Sequence, residues 1–164
     1  MSPDLVSTAG REHYILELPD WSSWPERLEL AKPNFVLFVA GDSTGASDSE
    51  VSAFAALALG QGALHTIAWG PGCREVDTAF DLVQVQAEVA SGEAGPHIMT
   101  SSHAGESFAE AVWVSLFCAW PDPDWEDTPF CWLGVLVNEP ARARDLRGWL
   151  SEPESLLRIL GLGD

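Results

Sequence analysis

Residues 34–40 read Asn-Phe-Val-Leu-Phe-Val-Ala, a continuous apolar run rich in β-branched and aromatic side chains. A run of this kind is typical of a central strand that is buried on both faces of a parallel sheet. Loop-forming residues from Gly41 to Gly45 follow directly, and Ser47 and Glu50 then have the spacing of a capping box. A buried strand followed at once by a helix predicts a βα unit.

The same alternation of strand and helix continues on both sides of this unit. Four further strands are predicted, at residues 13–18, 64–69, 97–101 and 130–137. Helices are predicted to end at Gly60 and to begin at Cys73, near Gly105 and after Asn138, with short ones at 23–31 and after Ser151. We expect a single α/β domain over residues 1–164, with about five mostly parallel strands in three α/β/α layers. A Rossmann-like or flavodoxin-like arrangement is expected, with residues 1–12 as a flexible N-terminus.

The charge balance is the most unusual feature of the composition. The chain has 25 acidic and 8 basic residues, a net charge of −17, and Arg74 is the only base between Pro33 and Ala141. Nucleic acids and anionic membranes are bound through clustered basic side chains, so this distribution excludes both kinds of partner. It permits cations, neutral small molecules or a basic protein, and it also keeps a soluble protein apart from its neighbours.

The cysteines and the apolar runs bear on the location of the protein. Three cysteines are too few for a disulfide scaffold and are typical of a reducing cytoplasm, and Cys118 and Cys131 are expected to be buried small apolar residues. The N-terminal residues lack the basic and apolar regions of a signal peptide, and no apolar run is long enough to span a membrane. Metal-ligand spacings, phosphate-binding loops and dinucleotide-binding glycine motifs do not occur. We therefore expect a cytoplasmic protein with no metal and no cofactor.

Residues 120–129 read Trp-Pro-Asp-Pro-Asp-Trp-Glu-Asp-Thr-Pro, an acidic loop in which three prolines exclude both helix and strand. The residues that we expect to bind a partner are Trp120, Asp122, Asp124, Trp125, Glu126 and Asp127. Tryptophans that anchor and carboxylates that steer are typical of a protein-binding patch. The alternative is that both tryptophans fold back over the sheet edge and the acids are merely solvated.

This loop and the net charge together favour a non-catalytic module that binds a basic protein. An immunity or inhibitor protein, or an accessory protein of a bacterial conflict system, has this character. Eight tryptophans in 164 residues also permit a homo-oligomer that buries an apolar patch.

A second candidate site lies where the carboxyl ends of parallel strands meet. The candidate ligand-binding residues in these loops are Asp42, Ser43, Thr44, Arg74, Ser101 and Ser102. Cys73 is at a predicted helix N-terminus beside Arg74, and both features lower the pKa of a thiol. A Cys73–His103 pair oriented by Glu106 or Asp42 would make a small-ligand-binding protein or a hydrolase-like enzyme. The alternative is that Cys73 is a small residue at a helix start and His103 is a loop cap.

The stretch Gly41-Asp42-Ser43 after a buried strand resembles the first block of GDSL-type (SGNH) esterases, which implies Ser43 as a nucleophile. That family also needs a histidine three residues after an aspartate, and none of the four histidines here has one. A serine without a base is a weak nucleophile. The alternative is that Asp42 and Ser43 are loop and cap residues.

Two other stretches carry a second resemblance. They are Trp-Gly-Pro-Gly-Cys at 69–73 with Phe80 and Asp81, and Met-Thr-Ser-Ser-His at 99–103 with Glu106, Ser107, Glu110 and Ala111. Together they resemble a family of small uncharacterised bacterial α/β proteins over about residues 34–120. The resemblance implies a cytoplasmic bacterial protein and brings no assigned reaction. It marks Cys73, Asp81, His103 and Glu106, of which Asp81 would lie inside a helix and serve structure.

Overall fold

The computed structural model describes residues 2–7 and 10–163, and these residues form an α/β structure with a mostly parallel sheet. The six strands are β1 (Asp4–Ser7), β2 (His13–Leu18), β3 (Asn34–Gly41), β4 (Ala63–Trp69), β5 (Met99–Ser102) and β6 (Phe130–Val137). The five α-helices are α1 (Asp48–Gly60), α2 (Cys73–Ser91), α3 (Phe108–Phe117), α4 (Pro140–Ser151) and α5 (Pro153–Ile159). One 3-10 turn, Pro123–Trp125, lies in the segment expected to have no helix.

The strands lie in the order β1-β2-β6-β3-β4-β5, and only the β1–β2 pair is antiparallel. Strand β3 lies between β6 and β4, and all of its residues except Asn34 are buried. The continuous apolar run at residues 34–40 is therefore a central strand, as predicted.

Alternate residues of β3 enter two different hydrophobic clusters. Phe35, Leu37 and Val39 belong to a cluster that includes residues of α1 and α2, whereas Val36, Phe38 and Ala40 belong to one that includes residues of α3, α4 and α5. The second cluster includes the fully buried Trp132, whose indole stacks on Phe38 at 6.1 Å between ring centroids. The indole also covers Gly134, where an added Cβ would lie 2.6 Å from a ring carbon. Because both faces of β3 pack into hydrophobic clusters, polar and apolar residues do not alternate along this strand.

Two helices begin at complete capping boxes. Ser47 and Glu50 form the predicted box at the start of α1. Ser107 and Glu110 form a second box, which the sequence analysis missed, and α3 therefore begins at Phe108 rather than near Gly105. Helices α4 and α5 begin after Asn138 and Ser151, as predicted, but neither residue is the N-cap. These helices begin after Glu139 and Glu152, whose side chains make no capping bond.

The N-terminal segment contributes the additional strand. Residues 4–7 of the segment expected to be flexible form β1, which pairs with β2 at the edge of the sheet. Arg147 of α4 holds this edge, because its Nη2 lies 2.9 Å from Asp4 Oδ2 and its Nη1 lies 2.6 Å from Glu17 Oε1. Four residues give too short a pattern to predict a strand. Met1, Thr8, Ala9 and Asp164 lie outside the described residues.

The helix predicted at residues 23–31 is wrong, because this connection is irregular. Its backbone is held by the side chain of Gln61 in place of helical hydrogen bonds. Gln61 Oε1 accepts from Leu28 N at 2.8 Å, and Nε2 donates to Pro25 O at 3.0 Å. The buried indole of Trp24 packs edge-on against Phe54 at 4.8 Å. Tertiary contacts therefore override the local helix signal.

Two cysteines differ in exposure although both were expected to be buried. Cys131 is buried in β6, as predicted, whereas Cys118 is exposed just after α3, so that expectation is wrong. Helix α3 ends at Phe117, and Cys118 is its C-cap residue. No helix among residues 2–7 and 10–163 is long and apolar enough to cross a membrane.

Candidate functional site

The loops that follow β4 and β5 form one cavity at the carboxyl edge of the sheet. It has a volume of about 360 Å³ and is lined by residues 69–75 and 103–106. Cys73, Arg74, His103 and Glu106 therefore lie around a single cavity. The loop after β3 adjoins a second depression, lined in part by Ser43, Thr44 and Arg74. Parallel strands end at the same edge, and this brings together loops that are far apart in sequence.

His103 is the most highly connected polar residue of this cavity. Its Nδ1 lies 2.8 Å from Glu106 Oε2, and its Nε2 lies 3.3 Å from Ser101 Oγ. The surrounding turn is fixed, because His103 N donates to Ala68 O and Trp69 Nε1 donates to Glu106 O. A carboxylate, an imidazole and a hydroxyl thus follow one another in the order that activates a serine in hydrolases. Both ring nitrogens have partners other than Cys73.

Cys73 is buried, with 2% of its surface exposed. Burial raises the pKa of its thiol, although backbone hydrogen bonds at His103 and Cys73 and the charge of Arg74 oppose this. The lowered pKa expected from the helix N-terminus and from Arg74 is therefore wrong. The thiol belongs to the hydrophobic cluster that includes Val76 and Phe80 of the same helix. Desolvation favours the neutral thiol and makes it a poor nucleophile.

The residues after β3 mainly stabilise their own loop. Ser43 is buried, its backbone N donates to Pro71 O at 2.9 Å, and an added Cβ on Gly72 would lie 2.2 Å from Ser43 Oγ. Asp42 Oδ1 accepts from the backbone N and the hydroxyl of Thr44, and these bonds lower the pKa of Asp42, the hydroxyl most strongly. These contacts favour the loop and cap roles over the nucleophile that the esterase resemblance implies.

Three other candidates lie around this edge in different settings. Arg74 is exposed at the rim shared by the two depressions, and Ser102 is half-buried at the end of β5. Asp81 is exposed on α2, where its Oδ1 accepts from Thr100 Oγ1 at 2.8 Å. It joins α2 to β5 and so serves structure, as expected.

The carboxyl ends of β3 and β6 carry an acidic depression. Its volume is about 320 Å³, and the four acids that line it are Asp20, Asp42, Glu50 and Glu139. The indole of Trp21 lies over Gly41, and a Cβ added to Gly41 would be 3.4 Å from an indole carbon. The indole also donates from Nε1 to Asp42 O. A crevice of this charge does not favour phosphate groups.

The acidic loop lies at the opposite, amino-terminal edge of the sheet and is well ordered by hydrogen bonds. Trp120 is 58% exposed, its carbonyl lies 2.8 Å from His65 Nδ1, and the guanidinium of Arg11 covers its ring at 5.4 Å. Trp125 is half-buried and donates from Nε1 to His97 O at 3.0 Å. Thus one tryptophan folds back over the sheet edge and the other stays exposed.

The acids of this loop also differ in their contacts. Asp122 is half-buried and accepts from Asp124 N at 3.0 Å, which begins the 3-10 turn. Asp124, Glu126 and Asp127 are exposed and form no ion pair with any described residue. The loop therefore presents three carboxylates in the same short segment as an exposed indole.

A larger apolar cavity of about 560 Å³ opens at the same edge, and the sequence analysis missed it. Arg11, His13, Phe130 and Trp149 are among its lining residues, which come from several separate segments of the chain. The sequence does not predict this cavity, because each of those segments contributes only a few lining residues and none forms a recognisable ligand-binding motif. In residues 2–7 and 10–163, no group of three His, Cys, Asp or Glu side chains is arranged to hold a metal ion.

The fold and these sites define a strongly acidic α/β protein with polar loops at one edge of its sheet and an apolar cavity at the other. A family model described as a domain of unknown function (DUF7684) matches residues 13–135, most of the chain, so the chain belongs to this family. The match includes both stretches, 69–81 and 99–111, that carry the second resemblance. No curated protein and no solved structure matches the chain.

Proposed function

We propose that this protein is a non-catalytic binding module that engages a basic protein partner through its acidic loop. The observation that carries the proposal is the ordered loop, in which Trp120 stays exposed in the same short segment as the exposed acids Asp124, Glu126 and Asp127. An exposed indole supplies contact area on binding, and carboxylates around it accelerate association with a cationic partner. A cytoplasmic immunity, inhibitor or accessory protein would use such a patch.

Two features support a loop that is already in its binding conformation. Trp125 is anchored by its bond to His97 O, and Asp122 fixes the 3-10 turn. A preorganised loop loses little conformational entropy when it binds, so more of the contact energy remains as affinity. The net charge of −17 also disfavours anionic competitors.

The experiment is an affinity capture of partners from a bacterial lysate at low and at moderate salt. Three baits are used: the wild type, a loop variant and a control variant. The loop variant carries Asp122→Asn, Asp124→Asn, Glu126→Gln and Asp127→Asn. The control changes four exposed acids elsewhere, Glu88, Glu93, Glu152 and Glu154, to Gln. Both variants have the same net charge, so the comparison isolates the position of the carboxylates.

We expect the wild type and the control variant to capture a basic protein in stoichiometric amount. The loop variant should not capture it, and raising the salt concentration should release it from the other two baits. With the purified partner, the loop variant should associate more slowly and with a weaker dependence on salt. Equal association rates for the loop variant and the wild type would contradict the assignment of the loop. Sedimentation at several concentrations determines whether a second copy of the chain is a partner.

A second candidate function is favoured by the Glu106–His103–Ser101 arrangement. It is a small-ligand-binding or hydrolase-like site at the carboxyl edge, with the Ser101 hydroxyl in place of the Cys73 thiol as the partner of His103 Nε2. A fluorophosphonate probe would label an activated Ser101, and labelling should be lost in His103→Ala and reduced in Glu106→Gln. Absence of labelling, beside a serine hydrolase that is labelled in the same reaction, would rule out the hydrolase-like form of this site.

We also propose that the domain has the three-layer, Rossmann-like arrangement expected from the sequence, and the strand order supports this proposal. Strands β5, β4, β3 and β6 are adjacent in that order, and this is the order 3-2-1-4 of a doubly wound sheet. Strand β2, from the N-terminal part of the chain, takes the next position. The membership of α1 and α2 in one hydrophobic cluster, and of α3, α4 and α5 in the other, is what helices on both faces would give.

A further inference from the structure

The apolar cavity at the amino-terminal edge has the size and lining of a small-molecule site. It lies between the end of α3, the α4–α5 corner, the residues before β2 and the start of β6. Leu116, Phe130, Trp149, Leu150 and Leu156 are among its walls. Its volume of about 560 Å³ falls within the range usual for such sites, about 300–1,000 Å³.

Arg11 gives this cavity a single positive charge. Its Nη2 donates to Leu116 O at 2.5 Å, and its Nη1 is buried with no hydrogen-bond partner among the described residues. No described carboxylate forms an ion pair with it, although the chain has 25 acids. The guanidinium is held over the rings of Trp120 and Phe130, at 5.4 and 5.7 Å. Leaving a desolvated cation without an anion costs free energy, so a bound anion would be stabilised here.

His13 does not add to this charge at neutral pH. Its pKa is lowered to about 4, chiefly by burial and next by the charge of Arg11, with a backbone hydrogen bond at Ser7 opposing the shift. The imidazole is therefore neutral, and it packs beside the Trp132 indole at 5.9 Å. One cation in an apolar surrounding suits a monoanionic head group, whereas a dianionic phosphate would need further positive charge.

We propose that this cavity binds a small amphipathic carboxylate of the medium-chain fatty acid class, with its chain among the apolar walls and its carboxylate beside Arg11. The apolar part of the ligand gains from leaving water, and the carboxylate gains a charge-assisted contact in a place of low solvent access. The negative field of the whole protein opposes entry of an anion, but salt at physiological strength screens that field beyond about 8 Å. The cavity shares Trp120 with the acidic loop, but the argument for an anion rests on Arg11 and not on the loop's proposed role, and its test involves no protein partner.

The test is calorimetric titration of the purified protein with decanoate and with the uncharged decanol, both below the concentration at which they aggregate. Quenching of tryptophan fluorescence gives a second readout, since Trp120 and Trp149 line the cavity. Arg11→Met keeps the unbranched apolar stem of the side chain and removes the charged guanidinium. Arg27→Met, an exposed arginine in the β2–β3 connection, is the matched control. Thr128→Trp fills the cavity from its loop side.

We expect saturable binding of one decanoate, with decanol bound about tenfold more weakly because a charge-assisted hydrogen bond contributes at least that factor. Arg11→Met should weaken decanoate about tenfold and leave decanol unchanged, Arg27→Met should bind as the wild type does, and Thr128→Trp should lose both ligands. Equal affinity for the two ligands in the wild type would overturn the proposal. So would an Arg11→Met protein that binds decanoate normally, or the lack of saturable binding of either ligand.

Discussion

Cys73 is in the first turn of α2, next to an arginine and at the positive end of a helix, yet burial raises the pKa of its thiol. The helix N-terminus and Arg74 act through partial or solvated charges, and Arg74 is exposed. Desolvation acts directly on the sulfur, which is almost wholly buried. The larger effect therefore decides the protonation state, and it favours the thiol.

We predict that Cys73 is alkylated by iodoacetamide much more slowly than the exposed Cys118 at neutral pH. The rate at Cys73 should rise only at alkaline pH, and His103→Ala should not change it, because the imidazole is bound to Glu106 and Ser101. Peptide mapping by mass spectrometry separates the three cysteines. Fast alkylation of Cys73 that depends on His103 would restore the cysteine–histidine pair.

His13 makes the stability of the protein depend on pH. Its folded-state pKa is about 4 against an ordinary value of 6.5, because burial and Arg11 both disfavour the charged ring. A protein whose unfolded state binds a proton more tightly than its folded state loses stability as the pH falls from the unfolded pKa towards the folded pKa. From about pH 7.5 to about pH 5, this group should remove about 2 kcal/mol from the free energy of unfolding.

Urea unfolding at several pH values measures this effect. His13→Phe, which keeps a ring but cannot be protonated, should show a flatter dependence on pH than the wild type. His97→Gln changes an exposed histidine and should keep the wild-type slope. His65, whose pKa is also lowered, chiefly by burial, remains in both variants and contributes in the same direction. Identical slopes for His13→Phe and the wild type would show that His13 is not the cause.

At the level of elements, the connection between β2 and β3 shows how distant contacts replace local ones. The side-chain amide of Gln61, at the end of α1, bonds to the backbone at Pro25, Glu26 and Leu28. Tyr14 Oη accepts from Ala31 N at 3.2 Å. Backbone groups that a helix would have satisfied internally are thus satisfied from outside, while Trp21 and Trp24 pack around Phe54.

We predict that Gln61→Ala lowers the free energy of unfolding by about 1–2 kcal/mol, because about three hydrogen bonds of roughly 1 kcal/mol or less each are lost. The amide of Leu28, which donates to Gln61 Oε1, should exchange with solvent faster in native-state hydrogen exchange. Gln86→Ala, on the exposed face of α2, is the control. An unchanged exchange rate at Leu28 would show that this amide is protected in another way.

At the level of the whole molecule, negative charge is spread with few compensating contacts. Four ion pairs occur among the described residues, and one of them depends on protonation of His103. A compact chain of net charge −17 repels itself more strongly than its expanded unfolded state does. The protein should therefore be least stable in dilute buffer.

We predict that raising sodium chloride from about 0.02 M to about 0.2 M raises the Tm, because the Debye length falls from tens of ångströms to below about 10 Å. For a domain of this size, a gain of about 1 kcal/mol corresponds to about 2–4 °C in thermal unfolding. The four-acid control variant of the partner experiment should start from a higher Tm and respond less to salt. A Tm that falls with salt would show that attractive ion pairs outweigh the repulsion.

Much of the fold could be predicted because its signals are local in the sequence. The apolar run of β3 and the Ser47 capping box each lie within a few residues, and so do the five strands that were expected. The short edge strand β1 could not be predicted because four residues give too short a pattern, and the irregular 23–31 segment could not be predicted because Gln61 and Phe54, far along the chain, stabilise it. The candidate site was likewise predictable only in part. The sequence showed which residue types lie at the sheet edge, but it did not show that the His103 imidazole pairs with Ser101 and not with Cys73.

By itself, the sequence determined the α/β class and the central position of β3, because periodicity acts through local propensity. Its total charge gives a prediction about partners, namely that they do not need a basic surface. Only the tertiary structure decided that Cys73 is buried, that Trp120 stays exposed while Trp125 folds back, and that Arg11 lies in an apolar cavity. Burial and pairing depend on which segments pack together, and a pKa or a cavity arises only from that packing.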